Sequence, residues 1–188
     1  MMQKKYINCC NGWGIIKGAI FLDRDGVVNE VVYHPTINKP SSPWNIKEFK
    51  IIEGIKEPLE ELSKNGYSIF IITNQPDVSR GFIEEGTTEK INSILKDHLP
   101  IHEIVTCPHD DHHHCTCRKP KPGMILDLAE KNDIDLHKSF VIGDGQKDIE
   151  AGSAAGCTTI LIEKPYNKDV IADYKAADLQ RASKIILD

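Results

Sequence analysis

Continuous apolar runs alternate with amphipathic stretches along most of the chain. The runs at 17–23 (KGAIFLD), 67–73 (YSIFIIT), 101–106 (IHEIVT), 139–144 (SFVIGD) and 158–162 (TTILI) have the length and continuity of strands buried on both faces. Between them, 54–66 (GIKEPLEELSKNG), 87–99 (TTEKINSILKDHL), 123–132 (GMILDLAEKN) and 146–156 (QKDIEAGSAAG) space their apolar residues as helices do, and two of them close on glycine. Such alternation predicts an α/β fold: a Rossmann-like parallel sheet with helices on both faces. The tail from Asp169 reads as helical. The segment 29–49 carries Pro35, Pro40 and Pro43 and no clear period, which fits a long functional loop and a flexible insertion equally well.

A length of 188 residues suits a single domain, 1–188, with a core over about 17–162. A chain of this size buries roughly 70% of its unfolded surface and needs no disulfide framework. The net charge of −5, with both signs mixed along the chain, offers no basic stripe for a nucleic-acid backbone. No run approaches a membrane span and the start lacks the pattern of a signal peptide, so the expectation is a cytoplasmic protein with neither nucleic acid nor membrane as partner. Of the six cysteines, Cys157 reads as a small buried hydrophobe and Cys9 and Cys10 as incidental thiols. Cys107, Cys115 and Cys117 cluster with histidines, which in a reducing compartment points to metal.

In an open parallel sheet, ligands gather beyond the C-terminal ends of the strands, where turning loops and helix starts converge. After the first predicted strand come Asp23, Arg24, Asp25 and Gly26, and after the second Thr73, Asn74 and Gln75. The third is followed by the Cys/His run with Arg118 and Lys119, and the fourth by Asp144 and Asp148. A lone D-x-D after a strand is ordinarily a solvated turn or a helix cap. Joint placement on one rim sets this group apart. Carboxylates held together repel unless a cation sits among them, and hard oxygen ligands suit Mg²⁺. Such a site, with a lysine and a threonine nearby, is suited to neutralising phosphoryl oxygens while one aspartate attacks phosphorus.

The segment 107–117 offers four N/S ligands in the pattern C-x-H-x5-C-x-C, a set that suits tetrahedral zinc. With every position filled by protein, the metal is expected to be structural: it would stiffen the loop and so fix Arg118 and Lys119 against the acidic rim. Spacing alone leaves His109, His112, His113 and His114 in competition for the histidine position.

Taken in order, FLDRDGVVN, ITNQ, CRKPKPGM and VIGDGQKDIEAG resemble the four motifs of the haloacid dehalogenase superfamily of phosphatases. With CPH…CTCRKP between the second and fourth motifs, the chain is similar to the branch holding D-glycero-D-manno-heptose 1,7-bisphosphate phosphatases and histidinol phosphatases. The resemblance implies that Asp23 is the nucleophile and that Asp25 protonates the leaving oxygen and later activates water. It implies that Thr73 and Lys119 bind the transferring phosphoryl group, with Asn74, Gln75 and Arg118 on the substrate side. Mg²⁺ would be held by Asp23, the Asp25 main-chain carbonyl and Asp144, with Asp148 supporting the metal or orienting Lys119. Zinc would be held by Cys107, His109, Cys115 and Cys117. The branch lacks a large cap domain, acts on small phosphorylated substrates such as sugar bisphosphates, and implies a monomer.

Two departures touch substrate recognition rather than the chemistry. Pro76 and Asp77 stand where the heptose enzymes usually have a small pair after TNQ, and Gly145 stands where a lysine is usual. The competing functions are histidinol phosphatase, polynucleotide 3'-phosphatase, and a zinc-stabilised binding module without turnover.

Overall fold

A computed structural model describes residues 18–188; Cys9 and Cys10 lie outside them. The five apolar runs form strands within two residues of their expected bounds: β1 (Gly18–Leu22), β4 (Tyr67–Asn74), β5 (Glu103–Cys107), β6 (Phe140–Gly143) and β7 (Thr158–Ile162). The four amphipathic stretches form α1 (Lys56–Lys64), α3 (Thr87–His98), α4 (Gly123–Asn132) and α5 (Gln146–Ala155). All the strands of the main sheet run parallel, in the order β5-β4-β1-β6-β7-β8, where β8 is Tyr174–Ala176. The central strand β1 is buried at every position because both of its faces are covered.

Period-2 alternation sorts the core into two layers. Ile20, Leu22, Ile69, Ile71, Ile142 and Ile160 face α1, α3 and the C-terminal α6 (Leu179–Leu187). Ala19, Phe21, Phe70, Ile72 and Val141 face α4 and α5, with Phe21 stacked on Phe70 at 5.5 Å. Cys157 lies in this second layer, and burial pushes its thiol up to about 12, as a small buried hydrophobe should behave.

The tail differs from its all-helical expectation. Tyr174–Ala176 pairs with β7 as an edge strand before Asp178, whose side chain accepts from Arg181 N, starts α6. Edge pairing draws on backbone groups, which three residues of mixed polarity do not advertise. The segment 29–49 is ordered as well. Val32–His34 (β2) and Lys39–Ser41 (β3) form an antiparallel hairpin whose turn places Asn38 in the left-handed region, and a 3-10 turn comes next at Ile46–Glu48. A short helix α2 (Pro76–Ser79) begins with Pro76 in its first turn, where a missing N–H costs nothing. Among the described residues, no helix is long and apolar enough to cross a membrane.

Candidate active site and metal loop

From β1 the chain steps first to β4 and β5 on one side, then returns to β6, β7 and β8 on the other. A crevice opens where the order reverses, next to the C-terminal ends of β1 and β6. That reversal brings Asp23 and Asp144 together, and the start of α5 adds Asp148: oxygens of the three lie within 4.8 Å of one another. Lys119 Nζ reaches Asp23 Oδ1 at 2.8 Å, Asp148 Oδ1 at 2.6 Å and the carbonyl of Ile72 at 2.8 Å. Burial opposes the charge of Lys119, but Asp148 and Asp23 outweigh it and hold the ammonium above the usual lysine range.

The acids still outnumber their cation. Three carboxylates against one ammonium leave two negative charges uncompensated, the charge of one divalent ion. Burial, reinforced by Asp148, Asp144 and Asp25 and opposed by Lys119, pushes Asp23 well above the carboxylate range, although its side chain is still 16% exposed to the cleft. Burial raises Asp144 too, partly offset by a hydrogen bond from Tyr166 Oη. The backbone leaves room for the Asp144 carboxylate. Gly26 sits at φ +91°, and a Cβ there would come within 2.2 Å of Asp144 Oδ2. Gly26→Ala is therefore expected to weaken divalent-cation binding by about tenfold, as disturbed support of a ligand commonly does, and stability by about 1–2 kcal/mol. Cation titration and thermal unfolding check this, and unchanged affinity would mean that Asp144 needs no such space.

Asp23 and Asp25 are held differently. Asp23 Oδ1 accepts from Arg24 N at 2.7 Å as well as from Lys119, and among the described residues Oδ2 has no protein donor. Asp25 is fixed by Asn29 Nδ2 at 2.9 Å, Gln75 Nε2 at 2.6 Å and the guanidinium of the buried Arg24 at 3.3 Å. Gln75 does not line the cleft. It is completely buried at the cap of α2, and its amide nitrogen bridges Asp25 and Thr73 Oγ1, so its place is behind the acid rather than against substrate. Thr73 is 1% exposed, and its oxygen accepts from Gln75, which leaves its own proton free to donate. Asn74 does line the cleft, but both ends of its amide hold the Lys119 backbone, at 3.0 and 3.1 Å. Asp148 Oδ2 caps α5 by accepting from Gly145 N at 3.0 Å, and its other oxygen orients Lys119.

The rim extends one strand further than the sequence motifs reach. The loop after β7 returns Tyr166 to Asp144, while Asn167 Nδ2 donates to the carbonyls of Asp144 and Ile162 at 2.8 Å. The residues after the fifth predicted strand, EKPYN, carry that signal.

The metal loop answers the histidine question. Cys107, His109, Cys115 and Cys117 bring their donor atoms within 4.8 Å of one another, with Sγ pairs 3.2–3.7 Å apart and His109 Nδ1 3.4 Å from Cys117 Sγ. A tetrahedral ion with sulfur at about 2.3 Å would set sulfurs roughly 3.7 Å apart, so the four donors could hold one ion and would leave it no open position. His113 instead accepts from Asp110 N at 3.0 Å. The loop holds Arg118 through Asp111 at 2.7 Å and the His109 carbonyl at 3.1 Å, which leaves Arg118 on the cleft wall. The cleft, of ≈ 690 Å³, is walled further by Val31, Ser41 and Ser42 of the hairpin segment and by Gly145 and Lys147.

A model of the haloacid dehalogenase-like hydrolases matches residues 31–162. The D-glycero-beta-D-manno-heptose-1,7-bisphosphate 7-phosphatase of Rhodopseudomonas palustris is 36% identical over 177 residues, covering 88% of this chain and 93% of its own. The D-glycero-alpha-D-manno-heptose-1,7-bisphosphate 7-phosphatase of Campylobacter jejuni is 34% identical over 156 residues, covering 80% and 85%. Among solved structures, the D,D-heptose 1,7-bisphosphate phosphatase of B. bronchiseptica, complexed with magnesium and phosphate, superposes with a TM-score of 0.77 at 26% identity, over 90% of this chain and 98% of that one.

Proposed function

The chain belongs to the haloacid dehalogenase-like hydrolases and is a phosphatase, and on that premise we propose that it removes the 7-phosphate from D-glycero-D-manno-heptose 1,7-bisphosphate. Mg²⁺ would sit among Asp23, the Asp25 carbonyl and Asp144, and Zn²⁺ among Cys107, His109, Cys115 and Cys117. The observation that carries the substrate is likeness over nearly the whole chain to heptose bisphosphate phosphatases. The cleft agrees, since Arg118 and Lys147 stand on its wall beside the aspartates and supply charge for a second phosphate.

Each residue then has a task. Asp23 Oδ2 attacks phosphorus, and the bond to the sugar oxygen breaks as Asp25 gives that oxygen a proton. Water next attacks the aspartyl phosphate and gives its proton to Asp25, freeing inorganic phosphate and Asp23. Asn29, Gln75 and Arg24 hold Asp25 in one place through both transfers. Lys119, at 2.8 Å from Asp23, offsets charge as the phosphoryl group arrives, and Thr73 donates a hydrogen bond to it. When bound, Mg²⁺ would keep Asp23 ionised and withdraw charge from the phosphoryl oxygens.

The family resemblance implies a monomer. Three thiols in a metal site fit the reducing cytoplasm, and the net charge of −5 speaks against nucleic acid. Phosphate release in Mg²⁺ from both anomers of the bisphosphate, beside histidinol phosphate, tests the substrate. A kcat/KM at least about tenfold higher for one bisphosphate anomer is expected, a margin of about 1.4 kcal/mol. Preference for histidinol phosphate would overturn the assignment and keep the chemistry.

A further inference from the structure

Asp77 is completely buried and takes part in no step described above. Its Oδ2 accepts from Ser41 Oγ at 2.8 Å and Trp44 Nε1 at 3.0 Å, both from the hairpin segment, and its Oδ1 accepts from Arg80 at 3.0 Å. Arg80 continues outward. Its Nε and second amino group take both oxygens of Asp110 at 2.7 and 2.8 Å, a two-point contact that fixes direction as well as distance. Asp110 directly follows His109 and caps the turn of the metal loop, where its Oδ1 accepts from Asp111 N at 2.7 Å. A buried carboxylate is thus tied on one side to the hairpin and, through one arginine, to the metal loop on the other. The hairpin is seated on the same side by a ring stack, with Trp44 between His34 at 3.7 Å and Phe82 at 4.9 Å.

We propose that Asp77, Arg80 and Asp110 are positioning residues that transmit the state of the metal loop to the β2–β3 hairpin, so that the hairpin wall of the cleft selects substrate only while the loop holds its metal. The proposal rests on the phosphatase reading above for its consequence, though not for its contacts. Ser41 and Ser42 carry that consequence, since they line the cleft opposite the start of α5. Removing Arg80 would leave Asp77 a buried charge with neutral donors only, and the hairpin would lose its tether to the loop.

Trp44 reports on the hairpin directly. The chain's other tryptophan is Trp13, so full-length protein carrying Trp13→Phe emits from Trp44 alone. In that background, removing zinc with a chelator is expected to shift Trp44 emission to longer wavelength. Arg80→Leu is expected to show the shifted emission with about one zinc still bound per chain, and to move little further on chelation. Asp110→Asn should shift emission in the same direction, and the two changes together should do no more than Arg80→Leu alone, because that substitution already breaks the contact to Asp110. In kinetics, Arg80→Leu should lower kcat/KM for the bisphosphate about tenfold relative to a small aryl phosphate, which does not reach the hairpin. Trp44 emission indifferent to metal would overturn the relay. So would an Arg80→Leu protein that tracks the parent on chelation, or a parallel fall on both substrates, which marks general loss of structure. If no bisphosphate is cleaved, the functional reading fails while the emission measurement still judges the relay.

Discussion

Asp23→Asn is expected to lower phosphate release by about 10³-fold or more, because an amide cannot supply the attacking oxygen and nothing else in the cleft is placed to do so. The contacts of Asp23 sharpen this expectation. Its Oδ1 is taken by Arg24 N and Lys119, and among the described residues its Oδ2 has no protein donor. Asp25 already accepts from Asn29 and Gln75 on separate oxygens, and Asp148 is occupied by Lys119 and the start of α5, so neither is free to take over the attack.

The same substitution is expected to leave the fold intact, and that separates a chemical role from a structural one. Asp23 is one of three carboxylates crowded around Lys119, and burial together with Asp148 already disfavours its charge. Neutralising it relieves repulsion, while Lys119 keeps Asp148 at 2.6 Å and the Ile72 carbonyl at 2.8 Å. The melting temperature should therefore hold or rise as turnover disappears. Steady-state phosphate release and thermal unfolding on one sample check both halves. Residual turnover above about 1% of the parent, beside the 10³-fold loss set by the nucleophile role, would remove Asp23 from that role.

Features whose cause is local are the ones legible in the sequence. Strands such as IFL and IFII announce themselves because both faces of a central parallel strand are apolar, and the acids of the rim stand directly after such runs. The resemblance puts Gln75 on the substrate side with Asn74 and Arg118. Only the turn into α2 swings it under the rim. The hairpin and β8 are hidden for another reason: β2, β3 and β8 have three residues each and are fixed by tertiary partners, Asp77 through Ser41 for the hairpin and β7 for β8. Tyr166 lies beyond the fifth predicted strand, outside the motifs, and only the return of the loop to Asp144 gives it a place at the rim. At His109 spacing offers four choices and geometry selects one, since the ring of His113 is drawn instead to Asp110 N.

Cys115→Ser should empty the metal loop and lower both stability and rate. Protein purified without added metal is expected to hold about one zinc per chain, and the serine variant a small fraction of that. Burial pushes the Cys107 thiol up to about 12, so three thiols this close give up their protons together only with a cation to balance them, and a hydroxyl in place of one sulfur removes the set's closure. The loss of stability should be on the order of 3 kcal/mol, well below the ~10–16 kcal/mol by which zinc binding folds a peptide that has no other core, since the sheet and its two apolar layers persist. The loss of rate should be larger in proportion. Lys119 lies two residues beyond Cys117, and its amine must sit 2.8 Å from Asp23; a displacement of about 1 Å at such a site costs about 10²-fold. Cys157→Ala serves as the control, since it removes a thiol from the buried layer against α5 and should cost stability without touching metal content. Zinc-free protein with unchanged melting temperature and unchanged turnover would sink the structural role of the loop, because nothing else would then tie its four ligands to the placement of Arg118 and Lys119.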